Sequence, residues 1–372
     1  MSKQLKSKLV SIREKYDLQL KELHSVVENF DTDSKEMFTE RMQNVSTECS
    51  SDMIKFANDI MCESVKALIT PCDFSPCDFS AIAIGSLAKG EATPYSDLEY
   101  LFLVKEKSPE LLQYFEQLAL TSYFLIGSLR ETTLEYMDIR ELSGWFKDCA
   151  QSGFKIDGLQ KKAGNIPTGN GRRRTKNHFI VTPDELKSRY ADVLNNPDVN
   201  QALQGDLTSM LRFTTIIYNH GESANEMHEG FRGFMETCNV TRARENMNIE
   251  MLKTDAKKFN FTPDEKLSEQ GFLVDVKREL YRFPSILALD LSIVFNCMAN
   301  NSWEMVEMLR SQHRISEDLC RALKFMIAAA CYIRLSAYIS LDSHDDKVSV
   351  APKSILLKNE AGLSTENKRW FV

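Results

Sequence analysis

Two acids and a glycine–serine pair are the residues of this sequence best placed to do chemistry. They fall in residues 79–104, FSAIAIGSLAKGEATPYSDLEYLFLV, where ten residues separate Gly85-Ser86 from Asp97-Leu98-Glu99. A short apolar run, 81–84, stops at the Gly-Ser, and a second one follows the acids. Short apolar runs bounded by turn residues read as buried strands. Side chains alternate along a strand, so Asp97 and Glu99 point to the same side. Neighbouring carboxylates repel each other, and a divalent cation between them relieves the repulsion. Magnesium suits such a site, since it takes one or two carboxylates together with substrate phosphates. Gly85 lets the backbone come close to a phosphate, and Ser86 opens a helix whose free amides face an anion. The plain alternative is a hairpin-like region carrying an exposed acidic pair.

Gly-Ser, ten residues and Asp-x-Glu between two strands closely resembles the signature of the polymerase-β-like nucleotidyltransferase superfamily. The resemblance implies a third carboxylate from a neighbouring strand. Asp157 is the candidate, because Gly153-Phe154-Lys155-Ile156-Asp157 is similar to the Phe-x-Val-Asp strand of glutamine-synthetase adenylyltransferases and protein-PII uridylyltransferases. The alternative is a strand-end acid serving a turn with Gly158, and Asp138 and Asp148 are weaker substitutes in expected helices. On the same resemblance Asp97, Glu99 and Asp157 would be the catalytic acids and hold magnesium or manganese. Gly85 and Ser86 would cradle the β- and γ-phosphates of a nucleoside triphosphate. Lys89 stands where relatives often carry arginine and would meet a phosphate, while Glu91 matches the Gly-Glu after the turn, either supporting the loop or taking part in catalysis.

The rest of the chain must position these groups. Its 372 residues suit about two domains with a sizeable core. A formal charge of −7 makes nucleic acid an unexpected partner, because the phosphate backbone asks for a basic face. Nine irregularly spaced cysteines suit free thiols in a reducing compartment, and the repeat PCDFS-PCDFS reads as a linker. No run of ~18 uninterrupted apolar residues spans a membrane; the best candidate, 283–299, contains Asp290. The start of the sequence lacks a signal-peptide core, and the expected location is the cytoplasm.

Leu9, Ile12, Tyr16, Leu20, Leu23, Val27 and Phe30 step by three or four, the stripe of an amphipathic helix. We expect residues 1–75 to form a helical layer packed on the next domain rather than a coiled-coil dimer. Residues 76–195 form the nucleotidyltransferase core, with helices over 109–129 and 137–151 and a strand at 178–181. Between them lies the glycine-rich basic run 164–176, either a solvated loop or a grip for a triphosphate or an acidic protein. Thr182-Pro183-Asp184-Glu185 predicts a helix start with a capping box, and Thr262-Pro263-Asp264-Glu265 repeats it. Residues 196–345 carry only helix signals, over 207–218, 272–296, 302–312 and 315–340, and 346–372 form a polar tail. Their pattern resembles the helical domain of the protein-PII uridylyltransferase N-terminal family.

The expected fold is therefore α+β: a small mixed sheet with helices, an N-terminal helical layer and an all-helical C-terminal domain. The six histidines form no metal-spaced cluster. His344-Asp345 is similar to the His-Asp pair of the phosphohydrolase domain of bacterial uridylyltransferases, but it stands alone in a polar tail and is expected to face solvent. The resemblance implies transfer of UMP or AMP from a nucleoside triphosphate to a protein acceptor, with release of pyrophosphate. The competing expectation is a catalytically inactive signalling or scaffold module on the same fold.

Overall fold

The computed structural model describes residues 2–27, 32–68, 76–131, 153–154, 156, 180–195, 211–238, 249–250, 252–253, 257 and 272–350. Asp157, Asp138, Asp148, the basic run 164–176, the second capping signal at Thr262 and everything after residue 350 lie outside the described residues.

Two long helices open the chain, α1 (Ser2–Val27) and α2 (Thr32–Ala67). Of the stripe read in α1, Leu9, Ile12, Tyr16, Leu20 and Leu23 are buried, joined by Leu5, while the side chain of Val27 and all of Phe30 lie outside the described residues. The stripe packs on α2, whose own stripe of Phe38, Met42, Cys49, Met53, Phe56 and Ile60 continues into the main core. The helical layer expected at the N-terminus is thus present. Its apolar faces are used within this chain.

The first sheet strand, β1 (Phe79–Ala83), leads into a single helical turn, α3 (Gly85–Ala88), and then to β2 (Tyr100–Val104). Next comes α4 (Pro109–Ser128), started by Ser108, which accepts from the Leu111 amide at 3.2 Å, with Pro109 behind it. The strand β3 (Ile180–Val181) enters α5 (Pro183–Asn195) through the capping box read from sequence. There the Thr182 amide donates to Glu185 at 3.0 Å and the Glu185 amide to Thr182 Oγ1 at 3.3 Å. A further strand, β4 (Thr215–His220), precedes α6 (Ala224–Thr237).

These four strands form one mixed sheet in the order β3-β2-β1-β4, antiparallel except for the parallel β2–β3 pair. Phe79, Ala81, Ala83, Tyr100, Phe102 and Val104 face the core shared with α2 and α4. Ile82, Ile84, Leu101, Leu103 and Val181 face Leu186 and Tyr190 of α5 and Phe231 and Met235 of α6. Helices cover both faces, which is why these strands read as unbroken apolar runs rather than alternating ones.

The C-terminal region departs from the all-helical expectation in two places. The stretch read as a helix over 207–218 contains most of β4, which pairs with β1 and so belongs to the main sheet. Its Thr214-Thr215-Ile216-Ile217 run is β-branched, a composition that favours a pleated strand over a helix. The second departure is β5 (Phe272–Asp275), which pairs antiparallel with β6 (Lys347–Val350), drawing the start of the expected polar tail into the fold. Between them run a π-helical segment, Val276–Tyr281, then α7 (Arg282–Val294), α8 (Ser302–Ser311) and α9 (Glu317–Leu341). Among the described residues α9 is the one helix long and apolar enough to cross a membrane, rather than the 283–299 segment the sequence pointed to. It is a core helix here: 56% of its apolar window is buried, and so is its Arg334.

Candidate functional site

The backbone brings the glycine turn and the acids together. Past the end of β1, the Ile84 amide donates to the Glu99 carbonyl at 3.0 Å, extending the pairing with β2 by one rung. Gly85 then adopts φ +69°, a left-handed conformation that glycine accepts without steric penalty. Its missing side chain matters as much as its backbone. A Cβ built on Gly85 would lie 1.6 Å from Glu99 Oε2, so the Glu99 carboxylate occupies the space a side chain would fill. The sequence suggested that Gly85 makes room for a phosphate, whereas in this structure it makes room for Glu99. The helix expected after Ser86 is a single four-residue turn, too short to offer much of a dipole to an anion.

Leu98, Tyr100 and Phe102 belong to one core and Leu101 and Leu103 to the other, so alternation carries Asp97 and Glu99 to the Leu101 side. Leu98 also forms an isolated parallel bridge with Ile156, and Phe154 packs edge-on against Phe56 with ring centroids 5.3 Å apart. The segment before Asp157 therefore lies alongside the two acids, while Asp157 itself is outside the described residues.

The turn between Ser86 and Asp97 is pinned by the C-terminal helices. Glu91 is wholly buried and accepts from the Ser285 hydroxyl at 2.8 Å and from the Tyr281 hydroxyl at 2.5 Å. Burial and the facing Glu91 carboxylate push the Tyr281 phenol well above its ordinary pKa, so it stays a hydrogen-bond donor. The Lys89 ammonium hydrogen-bonds Ser285 and lies 3.6 Å from Glu91. Lys89 is thus engaged between core and C-terminal helices, where the sequence assigned it to a phosphate. These contacts fit the loop-supporting role, one of the two expected of Glu91. Arg334 spans the same contact, donating to the Glu91 carbonyl at 3.4 Å and to Ser96 at 3.2 Å. The Ser302 amide donates to the Lys89 carbonyl at 3.1 Å, and Trp303 packs beside it, its indole N–H 3.4 Å from the Gly90 carbonyl. Lys277 and Arg278 sit in the π-helical segment, and Arg278 pairs with Asp275 at 3.7 Å.

His344 corrects the sequence reading outright. Its side chain is 4% exposed, not solvated, and its Nδ1 lies 3.3 Å from Asp97 Oδ1. Asp97 in turn is only 12% exposed. The neighbours of His344 in sequence are polar, and Asp97, which its ring meets, lies far away in the chain, so no local pattern marked its burial. Tyr281, Ser285 and Arg334 were missed for the same reason, lying in apolar helical stretches that read only as core.

Among the described residues no three His, Cys, Asp or Glu side chains gather as a metal-holding group. Asp97 and Glu99 remain a hard-oxygen pair of the kind magnesium accepts when phosphates complete its shell. A cavity of about 10 Å³, room for about one water, borders Asp97 and is lined by Met53, Leu87, Ala92, Thr93, Ser96, Leu98 and Phe154. It lies below the ~300 Å³ at which ligand pockets begin and is too small for a nucleotide. No protein-family model matches the chain, and no curated protein matches it either.

Proposed function

We propose that this chain is a metal-dependent nucleotidyltransferase with a polymerase-β-like core, moving UMP or AMP from a nucleoside triphosphate to a protein hydroxyl and releasing pyrophosphate. One observation carries the reading: the Glu99 carboxylate lies in the side-chain space left open at Gly85, two residues from Asp97. That juxtaposition gives both the Gly-Ser turn and the Asp-x-Glu pair a reason for their spacing. The bridge from Leu98 to Ile156 supports Asp157 as the third acid.

In this reading Asp97 and Glu99, with Asp157, hold magnesium or manganese. A bound cation there would neutralise the triphosphate and lower the pKa of the attacking hydroxyl. The chain's own part is to keep two like charges side by side and fixed. The Gly85 turn seats one carboxylate, and the buried Glu91 network keeps the intervening loop from moving. The free thiols among the described cysteines and the negative net charge agree with a cytoplasmic enzyme acting on protein rather than on nucleic acid.

The test is incubation with each labelled triphosphate and magnesium, comparing wild type with Asp97→Ala. Label on an acceptor with wild type alone supports transfer. Label with both proteins, or with neither, refutes it. The commitment of Lys89 to Glu91 and Ser285, away from the phosphate role, favours the second reading, a non-catalytic module that binds nucleotide. A magnesium-dependent thermal shift with nucleotide but without transfer would select that reading.

A further inference from the structure

His344 reaches Asp97 from a strap, residues 342–346, that joins α9 to β6. The strap is tied down along its length. Asp342 turns the end of α9 at φ +46° and accepts from the Tyr95 hydroxyl at 2.7 Å. At the other end the Asp346 carbonyl accepts from the Val276 amide at 2.7 Å, and the Asp346 carboxylate accepts from the Tyr338 hydroxyl. Between these anchors the imidazole packs on Tyr338 with ring centroids 4.7 Å apart. Its Nε2 lies 3.8 Å from Asp346 Oδ1 and its Nδ1 lies 3.3 Å from Asp97 Oδ1. Both Nδ1 and Asp97 Oδ1 are shut off from solvent, and at 3.3 Å they stand in contact without the alignment of a hydrogen bond.

A ring held this way does more than fill space. A carboxylate that binds a cation through one oxygen is free to swing unless something holds the other, and an N–H from an imidazole does that.

We propose that His344 is a positioning residue of the metal site, fixing Asp97 through Oδ1 so that the other carboxylate oxygen faces the cation. The proposal rests on reading Asp97 and Glu99 as ligands. It also makes the site composite, with the acids supplied by the sheet and their restraint by the C-terminal strap.

The experiment is manganese titration of the full chain, followed by electron paramagnetic resonance of the free ion, with thermal unfolding in EDTA measured alongside. His344→Ala is expected to weaken manganese binding roughly tenfold to a hundredfold. His344→Asn, whose amide keeps a donor, is expected to recover most of the affinity at similar thermal stability. Should the alanine variant fail to fold, His344→Phe keeps a ring against Tyr338 without a nitrogen and must show the same loss. Affinity within twofold of wild type in the folded variant overturns the proposal, as does equal weakening by asparagine and by alanine or phenylalanine. Wild type that binds no manganese overturns the site itself, which separates that failure from a failure of the role of His344.

Discussion

Replacing Gly85 with alanine tests the site at its tightest point, and Gly90 supplies the control. Both glycines adopt left-handed backbone, at φ +69° and +72°. Alanine in that region costs on the order of 1–2 kcal/mol, so both variants lose a similar amount of stability. For a chain of 372 residues that corresponds to a fall in unfolding temperature of roughly 1 °C per kcal/mol. The side-chain surroundings differ. At Gly90 the nearest atom to a new Cβ is Asn301 Cβ at 3.2 Å, a contact that small adjustments absorb. At Gly85 the new Cβ would meet Glu99 Oε2 at 1.6 Å and its Cδ at 2.8 Å, so the carboxylate must leave. A glutamate swings away at little cost in stability because its torsions are soft. The loss therefore falls on binding. Gly85→Ala is expected to weaken manganese affinity by at least ~10-fold, the scale of a disturbed ligand shell, while Gly90→Ala leaves it near wild type. Adding Glu99→Ala to Gly85→Ala should bring no further destabilisation, since the two residues are coupled by contact. Equal manganese affinity in the two glycine variants would refute the claim that the Gly85 space belongs to a metal ligand.

Three further outcomes follow from the buried polar groups. Tyr281→Phe removes a donor from the buried Glu91 carboxylate and should cost about 1–3 kcal/mol in urea unfolding. Glu91→Ala, which also strands Lys89, should cost about 3–5 kcal/mol, and near-neutral behaviour of both would show that the network does not hold the loop. His228 is buried against Thr214, with Nε2 and Oγ1 2.9 Å apart, and burial, helped by Arg232, lowers its pKa to about 4. The folded state thus disfavours the protonated ring. The stability this group contributes is complete above about pH 6.5 and is lost as pH falls towards 4. Between pH 7 and pH 5 wild type should lose about 2 kcal/mol that His228→Asn does not lose, and parallel pH profiles in urea unfolding would reject the assignment.

The parts of this fold that could be read in the sequence are those whose signal is local. The stripe of α1, the capping box at Thr182 and the break at Gly85 each announce themselves within a few residues. The spacing from Gly85 to Asp97 and Glu99 is similarly compact, because the two strands that carry them are adjacent and paired. What escaped was set by distant partners. Most of Thr215–His220 was read within a helix because its apolar residues suit either period, and only its β-branched run and its pairing with β1 decide the matter. The pairing of Phe272–Asp275 with Lys347–Val350 joins segments with three helices between them. His344 looked like a tail residue because the groups that bury it, Tyr338, Asp346 and Asp97, are brought together by the turn at Asp342 and by the packing of the strap against the stretch that carries Asp97.

The grip of the C-terminal helices on the loop from Ser86 to Asp97 has a consequence for how the protein is made. A ribosome delivers the acids and the glycine turn long before Tyr281, Ser285, Trp303, Arg334 and His344. Until those residues emerge, the carboxyl of Glu91 has none of its side-chain donors from the later helices, and the loop cannot settle. The loop in the nascent chain is therefore expected to stay unsettled until α9 docks, and residues 76–195 expressed alone should yield a loosened fold.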